Sequence, residues 1–510
     1  MQPEAAASLD SPSRPVSPIN WLFSWPLIVG VLVYLYVFYA GSGLLNDGDT
    51  FWHVATGQWI LQHGAVPSGD PFSHTMPGAP WTAHEWLSEV LLATAHKLGG
   101  WTGVVALTAT MFSAAIALLT RAVLKAIEPV YALIFATYAV LMTASHLLAR
   151  PHILATPLMM IWLIELVRAS DEQRRPSLWL LPLMTLWANM HGGFTLGLAL
   201  VGPFALEAVI AARQAQRAIP VAKSWATFLL LAIASSLVTP HGPQGILFTW
   251  HVLFNSSYAL AHIGEWASPN FHGLQVLEIW LLGGLALFIY QGLRLPPIRL
   301  LLLLGLLHLG LKHVRYVELL GLLAPVFLAA PLAVQWQQRR QGKPQVEAVD
   351  RFFQKLAQPA GHGATMLGLG FLLSFTVLLV QLKPVQIDES SAPTQAIKAV
   401  QNVGLRGPVL NEYGWGGHLI YANIAPFIDG RADIYGDDFL KKYIEALGLK
   451  ESDGLQKLIA QYKVEWTLLP PGSPAVALLD HLPEWRRLYA DKTAVVHAKS
   501  QRQAVELEKP

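Results

Sequence analysis

The chain of 510 residues has no cysteine and few charged residues. Without cysteine there can be no disulfide, no thiolate nucleophile and no cysteine-ligated zinc, although the redox compartment stays open. Charged residues make up 13% of the chain, against about 25% in soluble domains. No basic tract interleaved with aromatic residues is present, so nucleic acid is not expected as a partner. With 53% hydrophobic residues, this balance predicts a polytopic α-helical membrane protein.

Hydrophobic segments recur along the first three quarters of the chain. About 20 apolar residues cross a bilayer, and we interpret eleven segments as transmembrane helices. Residues 1–20 precede them as a disordered cytoplasmic tail, and the first segment is too long for a cleaved signal peptide. The segments are Trp21–Leu44, Trp101–Lys125, Pro129–Ala149, Pro151–Val167, Pro176–Met190, Gly193–Ala212, Ser224–Thr239, Gln275–Gln291, Pro297–Leu311, Tyr316–Trp336 and Thr365–Leu382.

Arginine and lysine cluster in alternate loops, which predicts the orientation of the chain in the membrane. Every basic-rich loop is cytoplasmic if the N-terminus is cytoplasmic and the apolar stretch Ala83–Leu98 lies along the membrane surface. Residues 21–382 then form the transmembrane domain. Residues 46–100, called the first loop below, are external and carry two surface helices. Residues 383–510, the tail domain, are also external.

The tail domain has lower hydropathy than the rest, with short apolar runs between turn signals. This alternation predicts a small α/β domain. The expected strands are Gly407–Leu410, His418–Tyr421, Trp466–Leu469 and Ala494–His497. The expected helices are Thr394–Val403, Phe439–Leu447 and Gly454–Tyr462.

The densest group of ionisable residues, Asp47-Gly48-Asp49 with His53, follows the first hydrophobic segment. Ionisable groups beside hydrocarbon are costly to desolvate, so such a cluster indicates a functional site. Apolar residues at helical spacing from Phe51 predict a surface helix, on which His53 shares a face with Asp49. A structural alternative remains, in which one or both aspartates cap this helix.

Further polar motifs fall in external loops of the predicted topology. Each has a structural alternative, such as an interfacial anchor, a tight hairpin or an arginine reaching to lipid headgroups. Arginine binds phosphate well, and the glycines after His191 permit close approach of a ligand. The candidate binding residues are His53, His84, Glu85, Arg150, His152, Asn189, His191, Lys312, His313 and Arg315.

Two other runs carry weaker signals. The loop Gly264–His272 adds Glu265 and an imidazole to the external side. In the tail domain, the run Phe427–Asp438 places several carboxylates around Arg431. Runs of this kind are more often a solvated turn with an internal ion pair than a binding site, and we interpret this one in that way.

The order of a first span, an outer loop with an acidic motif, two surface helices and many further spans resembles the GT-C superfamily of membrane glycosyltransferases. The similarity is specific at Asp47-Gly48-Asp49, where that superfamily keeps its acidic motif, although a glycine here separates the two aspartates. The run Asp47–Trp59, with Asp70-Pro71-Phe72-Ser73 and His84-Glu85-Trp86, is similar to an uncharacterised bacterial subgroup.

This resemblance implies a bacterial cytoplasmic-membrane enzyme with a periplasmic tail domain, which takes a hexose or pentose from a polyprenyl-phosphate carrier. The acceptor is a glycan, a lipid or a protein. The resemblance further implies inverting transfer, with Asp49, or else Asp47, deprotonating an acceptor hydroxyl. Arg150, Lys312 and Arg315 then stabilise the leaving phosphate.

The remaining candidates serve the acceptor or a metal in this scheme. His53, His84 and Glu85 position the acceptor or bind a divalent cation. No cofactor is required by the sequence, but Mg²⁺ or Mn²⁺ is compatible with it, and Asp47, Asp49 and His53 are then the expected ligands.

Three other functions fit the same sequence. An enzyme similar to O-antigen ligases or polymerases would depend on the outer arginines and histidines more than on the aspartates. A non-enzymatic lipid or glycan transporter would line a path with its membrane charges. An envelope scaffold would act through the tail domain alone.

Overall fold

The computed structural model describes residues 23–500 except 256, 263, 341–347, 359, 383 and 391. The predicted disordered tail 1–20 and the segment 501–510 lie outside the described residues. Helices dominate the chain up to the tail domain. They are α1 (Trp25–Tyr39), α2 (Gly48–His63), α3 (Trp86–Leu124), α4 (Pro129–Ala144), α5 (Pro151–Asp171), α6 (Leu180–Ala188), α7 (Phe194–Ala212), α8 (Ala218–Ser236), α9 (Gln244–Asn255), α10 (Ser257–His262), α11 (Val276–Gln291), α12 (Pro297–Lys312), α13 (Val317–Arg340), α14 (Ala348–Lys355) and α15 (His362–Leu382).

Proline starts several of these helices. It stands in the first turn of α1, α4, α5 and α12. Its fixed φ suits a helix start, and its missing N–H would have no partner there in any case. The sequence therefore sets where these segments begin.

The helical domain has the composition of a multi-pass membrane protein. Among the described residues, α3, α5, α7, α8, α13 and α15 are long and apolar enough to cross a membrane, and α1, α4 and α11 are shorter apolar helices. Large apolar side chains such as Leu367 and Phe371 on α15 are exposed, as expected of a surface that faces lipid. The predicted class is confirmed. The count of eleven spans stays a prediction, since α6 has only 9 residues.

Helix α3 breaks at Gly99 and Gly100, where Gly100 has φ 59° and ψ −150°. Glycine adopts this conformation without steric cost. The break separates residues 86–98 from the apolar helix that follows, at the place where the sequence predicts a separate surface helix. Residues 86–98 pack against α2 so closely that a Cβ on Gly57 would lie 2.0 Å from the carbonyl oxygen of Glu89.

The tail domain has the predicted α/β architecture. Its sheet has the order β1-β2-β4-β3, with β1 parallel to β2 and the other pairs antiparallel. Its strands are β1 (Val409–Asn411), β2 (Trp466–Leu469), β3 (Trp485–Ala490) and β4 (Val495–Lys499), and its helices are α16 (Thr394–Asn402), α17 (Gly416–Tyr421), α18 (Ala432–Leu447), α19 (Gly454–Gln461) and α20 (Pro474–Leu479).

One predicted strand is wrong and one strand was missed. His418–Tyr421 forms part of α17 and not a strand. Most of this short apolar run is buried, and periodicity cannot distinguish a buried strand from a buried helix over so few residues. Strand β3 escaped prediction because it is an edge strand whose polar residues, Arg486 among them, are largely exposed.

The tail domain is joined to the first loop by direct hydrogen bonds. Thr75 Oγ1 donates to the carbonyl of Phe427 at 2.6 Å. His74 Nε2 lies 2.9 Å from the carbonyl oxygen of Val409, on the first strand of the sheet. These contacts hold the tail domain against the first loop, which also carries the acidic motif.

Candidate active site

The two aspartates of the acidic motif have different structural roles. Asp47 is the N-cap of α2, and its side chain accepts a hydrogen bond from the backbone N–H of Asp49 at 3.3 Å. Asp49 lies in the first turn, where the positive end of the helix dipole favours a carboxylate. Its Oδ1 accepts a hydrogen bond from Trp52 Nε1 at 3.0 Å. Capping therefore accounts for Asp47, whereas Asp49 does not cap the helix.

Arg150 connects both aspartates to a distant loop. It precedes Pro151 at the start of α5 and donates to Asp47 through Nε and Nη2, the latter at 2.7 Å. Its Nη2 also lies 3.1 Å from Asp49 Oδ2, and its Nη1 donates to Glu265. Three carboxylates thus surround one guanidinium.

This arrangement gives the carboxyl groups of Asp49 and Glu265 different pKa values. Burial raises the pKa of Asp49 to about 7, although Arg150 opposes the shift. Burial also disfavours ionisation of Glu265, but Arg150 and Arg315 outweigh it and bring the pKa of Glu265 to about 2. Glu265 is then anionic at neutral pH, whereas Asp49 exchanges its proton there. A pKa near the working pH suits a general base.

A second group of predicted residues surrounds Glu85. The Nε2 atoms of His191, His84 and His53 lie 3.5, 3.7 and 3.9 Å from its carboxyl oxygens. Burial raises the pKa of Glu85 to about 8 and lowers that of His191 to about 3. This wall is therefore polar but carries little charge, which suits hydroxyl-rich ligands.

Both groups line one large cavity. Its volume is about 970 Å³, and it lies between the helices, the first loop and the tail domain. Of the predicted site residues, the cavity is lined by Asp47, Asp49, His53, His84, Glu85, Arg150, His152, His191 and Arg315.

Three predicted site residues do not line this cavity. Asn189 accepts a hydrogen bond from Trp86 Nε1 at 2.7 Å and donates to two backbone carbonyls, so it holds a turn. His313 Nδ1 lies 2.5 Å from the carbonyl oxygen of Trp266. Lys312 is exposed at the end of α12. Sequence reasoning could not tell which of these side chains line the cavity.

The expected metal ligands Asp47, Asp49 and His53 do not fit a cation. The guanidinium of Arg150 takes the position that a metal ion would occupy between the two aspartates. His53 Nδ1 lies 3.2 Å from Glu89 Oε1. Each of these three side chains already has a polar partner.

Backbone of the tail domain closes tightly over the acidic motif. A Cβ on Gly430 would lie 1.8 Å from Asp49 Oδ1. Likewise, a Cβ on Gly417 would lie 1.9 Å from the carbonyl oxygen of Gly48, and a Cβ on Gly48 would lie 2.0 Å from that of Gly414. Only glycine allows so close an approach, so the tail domain forms one wall of the site.

A buried ion cluster holds this wall in place, and it corrects the interpretation of residues 427–438 as a solvated turn. Arg431 donates to Asp429 at 2.7 and 2.8 Å and to Asp70 of the first loop at 2.8 Å. Arg431 is 2% exposed, and Asp429 is fully buried. The guanidinium carbon lies 4.7 Å from the ring centroid of Trp81. Sequence reasoning missed the cluster because its partners are 361 positions apart.

Other cavity residues were also missed by the sequence analysis. Tyr413 and Asp433 come from the tail domain, and His146 and Glu318 come from the helical domain. Glu265 carried only a weak signal. A polar residue near the end of an apolar segment is the only sequence signal that could have identified His146 and Glu318.

Comparison with known proteins supports the fold. No protein-family model and no curated protein matches the chain. The structure is similar to the oligosaccharyltransferase AglB from Archaeoglobus fulgidus, solved with an inhibitory peptide and a dolichol-phosphate. The TM-score is 0.54 at 10% sequence identity, and the match covers 87% of this chain and 69% of AglB.

A second similar structure is ArnT from Cupriavidus metallidurans bound to undecaprenyl phosphate. Its TM-score is 0.48 at 13% sequence identity, with 93% of this chain and 98% of ArnT covered. The likeness to AglB is one of fold, and at that level it agrees with the resemblance drawn from the sequence.

Proposed function

We propose that the protein is a membrane glycosyltransferase that moves a sugar from a polyprenyl-phosphate carrier to an acceptor hydroxyl at the outer face of the membrane. The observation that carries the proposal is the position of Asp49. Asp49 lines a cavity that is also lined by Arg150 and Arg315 and by apolar side chains of the membrane helices.

The apolar part of the cavity suits a prenyl chain. It is lined by side chains from helices that include α5, α7, α12 and α13, among them Met159, Leu196, Leu306 and Leu319. Burying an apolar chain releases about 25 cal/mol for each Å² removed from water. Bound carriers in AglB and ArnT, dolichol-phosphate and undecaprenyl phosphate, are consistent with such a ligand.

We assign binding of the donor's phosphate group to Arg315. This side chain lines the cavity, stacks over Trp266 at 4.4 Å and lies 3.7 Å from Glu265, beyond hydrogen-bond distance. In contrast, the donors of Arg150 are already engaged by carboxylates. Arg150 therefore orients the aspartates, and Arg315 stabilises the charge that develops on the leaving phosphate.

The chemistry is a single displacement. Asp49 accepts the proton of an acceptor hydroxyl, whose oxygen forms a bond to the anomeric carbon of the sugar. The bond from that carbon to the phosphate oxygen breaks, and the phosphate leaves with the electron pair. Attack opposite the leaving group inverts the anomeric configuration. Asp47 takes no proton in this scheme, because it caps α2 and binds Arg150.

The proposal is tested with purified protein in proteoliposomes that contain polyprenyl-phosphate-linked sugars, by following the release of free polyprenyl phosphate. We expect Asp49→Asn to lower the rate by roughly 10²–10⁴-fold, the usual contribution of a general base. Asp453→Asn is the matched control, because Asp453 lies in an exposed ion pair with Lys457.

Binding provides a second measurement. Wild-type protein and Asp49→Asn should both bind undecaprenyl phosphate, whereas undecaprenol, which lacks the phosphate, should bind weakly. Normal transfer by Asp49→Asn would refute the assignment of the base. If Arg315→Gln alone abolished transfer in that case, the ligase-like chemistry would be favoured instead.

A further inference from the structure

A cluster of metal-ligand type lies in the cavity beside the candidate catalytic residues. His146 lies in the turn after α4, His152 in the first turn of α5 and Glu318 in the first turn of α13. One ligand atom from each residue lies within 4.8 Å of the others. Within the part of the chain that the structure describes, no other group of histidine and carboxylate side chains has this spacing.

Hydrogen bonds within the protein do not explain this arrangement. His152 Nε2 is buried without a hydrogen-bond partner and lies 3.6 Å from Glu318 Oε2. Glu265 Oε2 is also buried without a partner, 3.8 Å from His146 Nε2. Two ligands on a tetrahedral zinc ion, each at about 2.1 Å, lie about 3.4 Å apart. The gap between His152 and Glu318 is close to that separation and is too long for a hydrogen bond.

We propose that His146, His152 and Glu318 bind a divalent transition-metal ion of the zinc type, with an open coordination position toward the cavity. Two imidazoles and one carboxylate favour zinc-like ions over Mg²⁺ or Ca²⁺, which prefer oxygen ligands. Three protein ligands with one open position are the arrangement of catalytic zinc sites. Because Arg315 lines the same cavity, the open position takes a phosphate oxygen of the donor, an assignment that rests on the proposed function.

Metal binding is measured on the full-length protein in detergent, after its affinity tag is removed and bound metal is stripped with a chelator. Titration with Co²⁺ should give one ion per chain, with the strong visible absorption of a tetrahedral or five-coordinate site. His146→Gln and Glu318→Gln should each weaken the affinity at least roughly a hundredfold. His481→Gln is the control, because His481 is an exposed histidine outside the cavity.

Only variants that keep the thermal unfolding midpoint of the wild type are compared. Two ligand substitutions are used so that the test still works if one of the variants misfolds. Equal Co²⁺ binding by wild type and both ligand variants would mean adventitious metal only and would overturn the proposal. So would the absence of stoichiometric binding to the wild type.

A final addition separates the metal site from the proposed function. Undecaprenyl phosphate should change the Co²⁺ spectrum of the wild type, and undecaprenol should not. Stoichiometric binding without a spectral change would refute the phosphate position and keep the metal site. A protein that transfers no sugar but binds Co²⁺ through these three residues would refute only the glycosyltransferase proposal.

Discussion

Replacing Gly430 by alanine tests whether the tail domain positions the carboxylate of Asp49, the proposed general base. The new Cβ would lie 1.8 Å from Asp49 Oδ1, 2.7 Å from its Cγ and 3.1 Å from Trp52 Nε1. Ordinary contact begins near 3.4 Å, so the carboxylate or the Gly430 turn must move by about 1.6 Å, the difference between 3.4 and 1.8 Å.

The size of the effect follows from this displacement. A misplacement of about 1 Å in an active site can cost roughly a hundredfold in rate. Loss of a general base costs at most about 10⁴-fold. We therefore expect the transfer rate of Gly430→Ala to fall by roughly 10²–10⁴-fold. Overpacking costs about 1–3 kcal/mol, which is less than the stability of about 5–15 kcal/mol that folded proteins have. The variant should remain folded.

The assay compares the initial rate of release of polyprenyl phosphate with the binding of undecaprenyl phosphate. Gly430→Ala should release polyprenyl phosphate much more slowly than the wild type and should still bind undecaprenyl phosphate. Gly472→Ala is the matched control, because a Cβ at this exposed tail-domain glycine meets no atom within 4 Å. A Gly430→Ala variant with the transfer rate of the wild type would refute the idea that the tail domain positions Asp49.

Two further predictions concern protonation and the buried ion cluster. The transfer rate should rise with pH through about 7, where Asp49 loses its proton, and initial rates that stay flat across this range would contradict its role as base. The free energy of unfolding should change in the opposite direction. The pKa of Asp49 is raised from 3.8 to about 7, so between these pH values the folded protein holds a proton that the unfolded chain has released. The free energy of unfolding should therefore fall as the pH rises from about 3.8 to about 7. Arg431→Met should cost about 3–5 kcal/mol of unfolding free energy, because Asp429 and Asp70 stay buried without their cation. Denaturant unfolding measures this loss, with Arg486→Met as the control. Arg486 is exposed, so its replacement should change the free energy of unfolding by no more than about 0.5 kcal/mol. Equal losses in the two variants would show that the buried ion cluster contributes no special stability.

Hydropathy and charge alone determined the class of this protein. Apolar segments must satisfy their backbone hydrogen bonds internally when they lie in lipid, so composition and length predict helices there. The same local rules predicted α2, the break in α3 and the α/β character of the tail domain. The acidic motif carried the GT-C resemblance, because its short spacing along the chain can be recognised without a structure.

Tertiary structure decided which residues act together. The sequence left capping open for one or both of Asp47 and Asp49, and only the structure shows that Asp47 is the N-cap and that Arg150, Trp52 and Gly430 approach this motif. No local pattern reports such contacts, since they depend on how distant helices pack.

Long-range pairs show the same limit most clearly. Arg431 and Asp70 are 361 positions apart, and they meet only because the tail domain folds back over the first loop. His152 and Glu318 approach within 3.6 Å from the first turns of two different helices. The sequence by itself determined the class of membrane protein and where the acidic motif begins. Only the tertiary structure decided which carboxylate has a titrating pKa, because burial and neighbouring charge are properties of the packed chain.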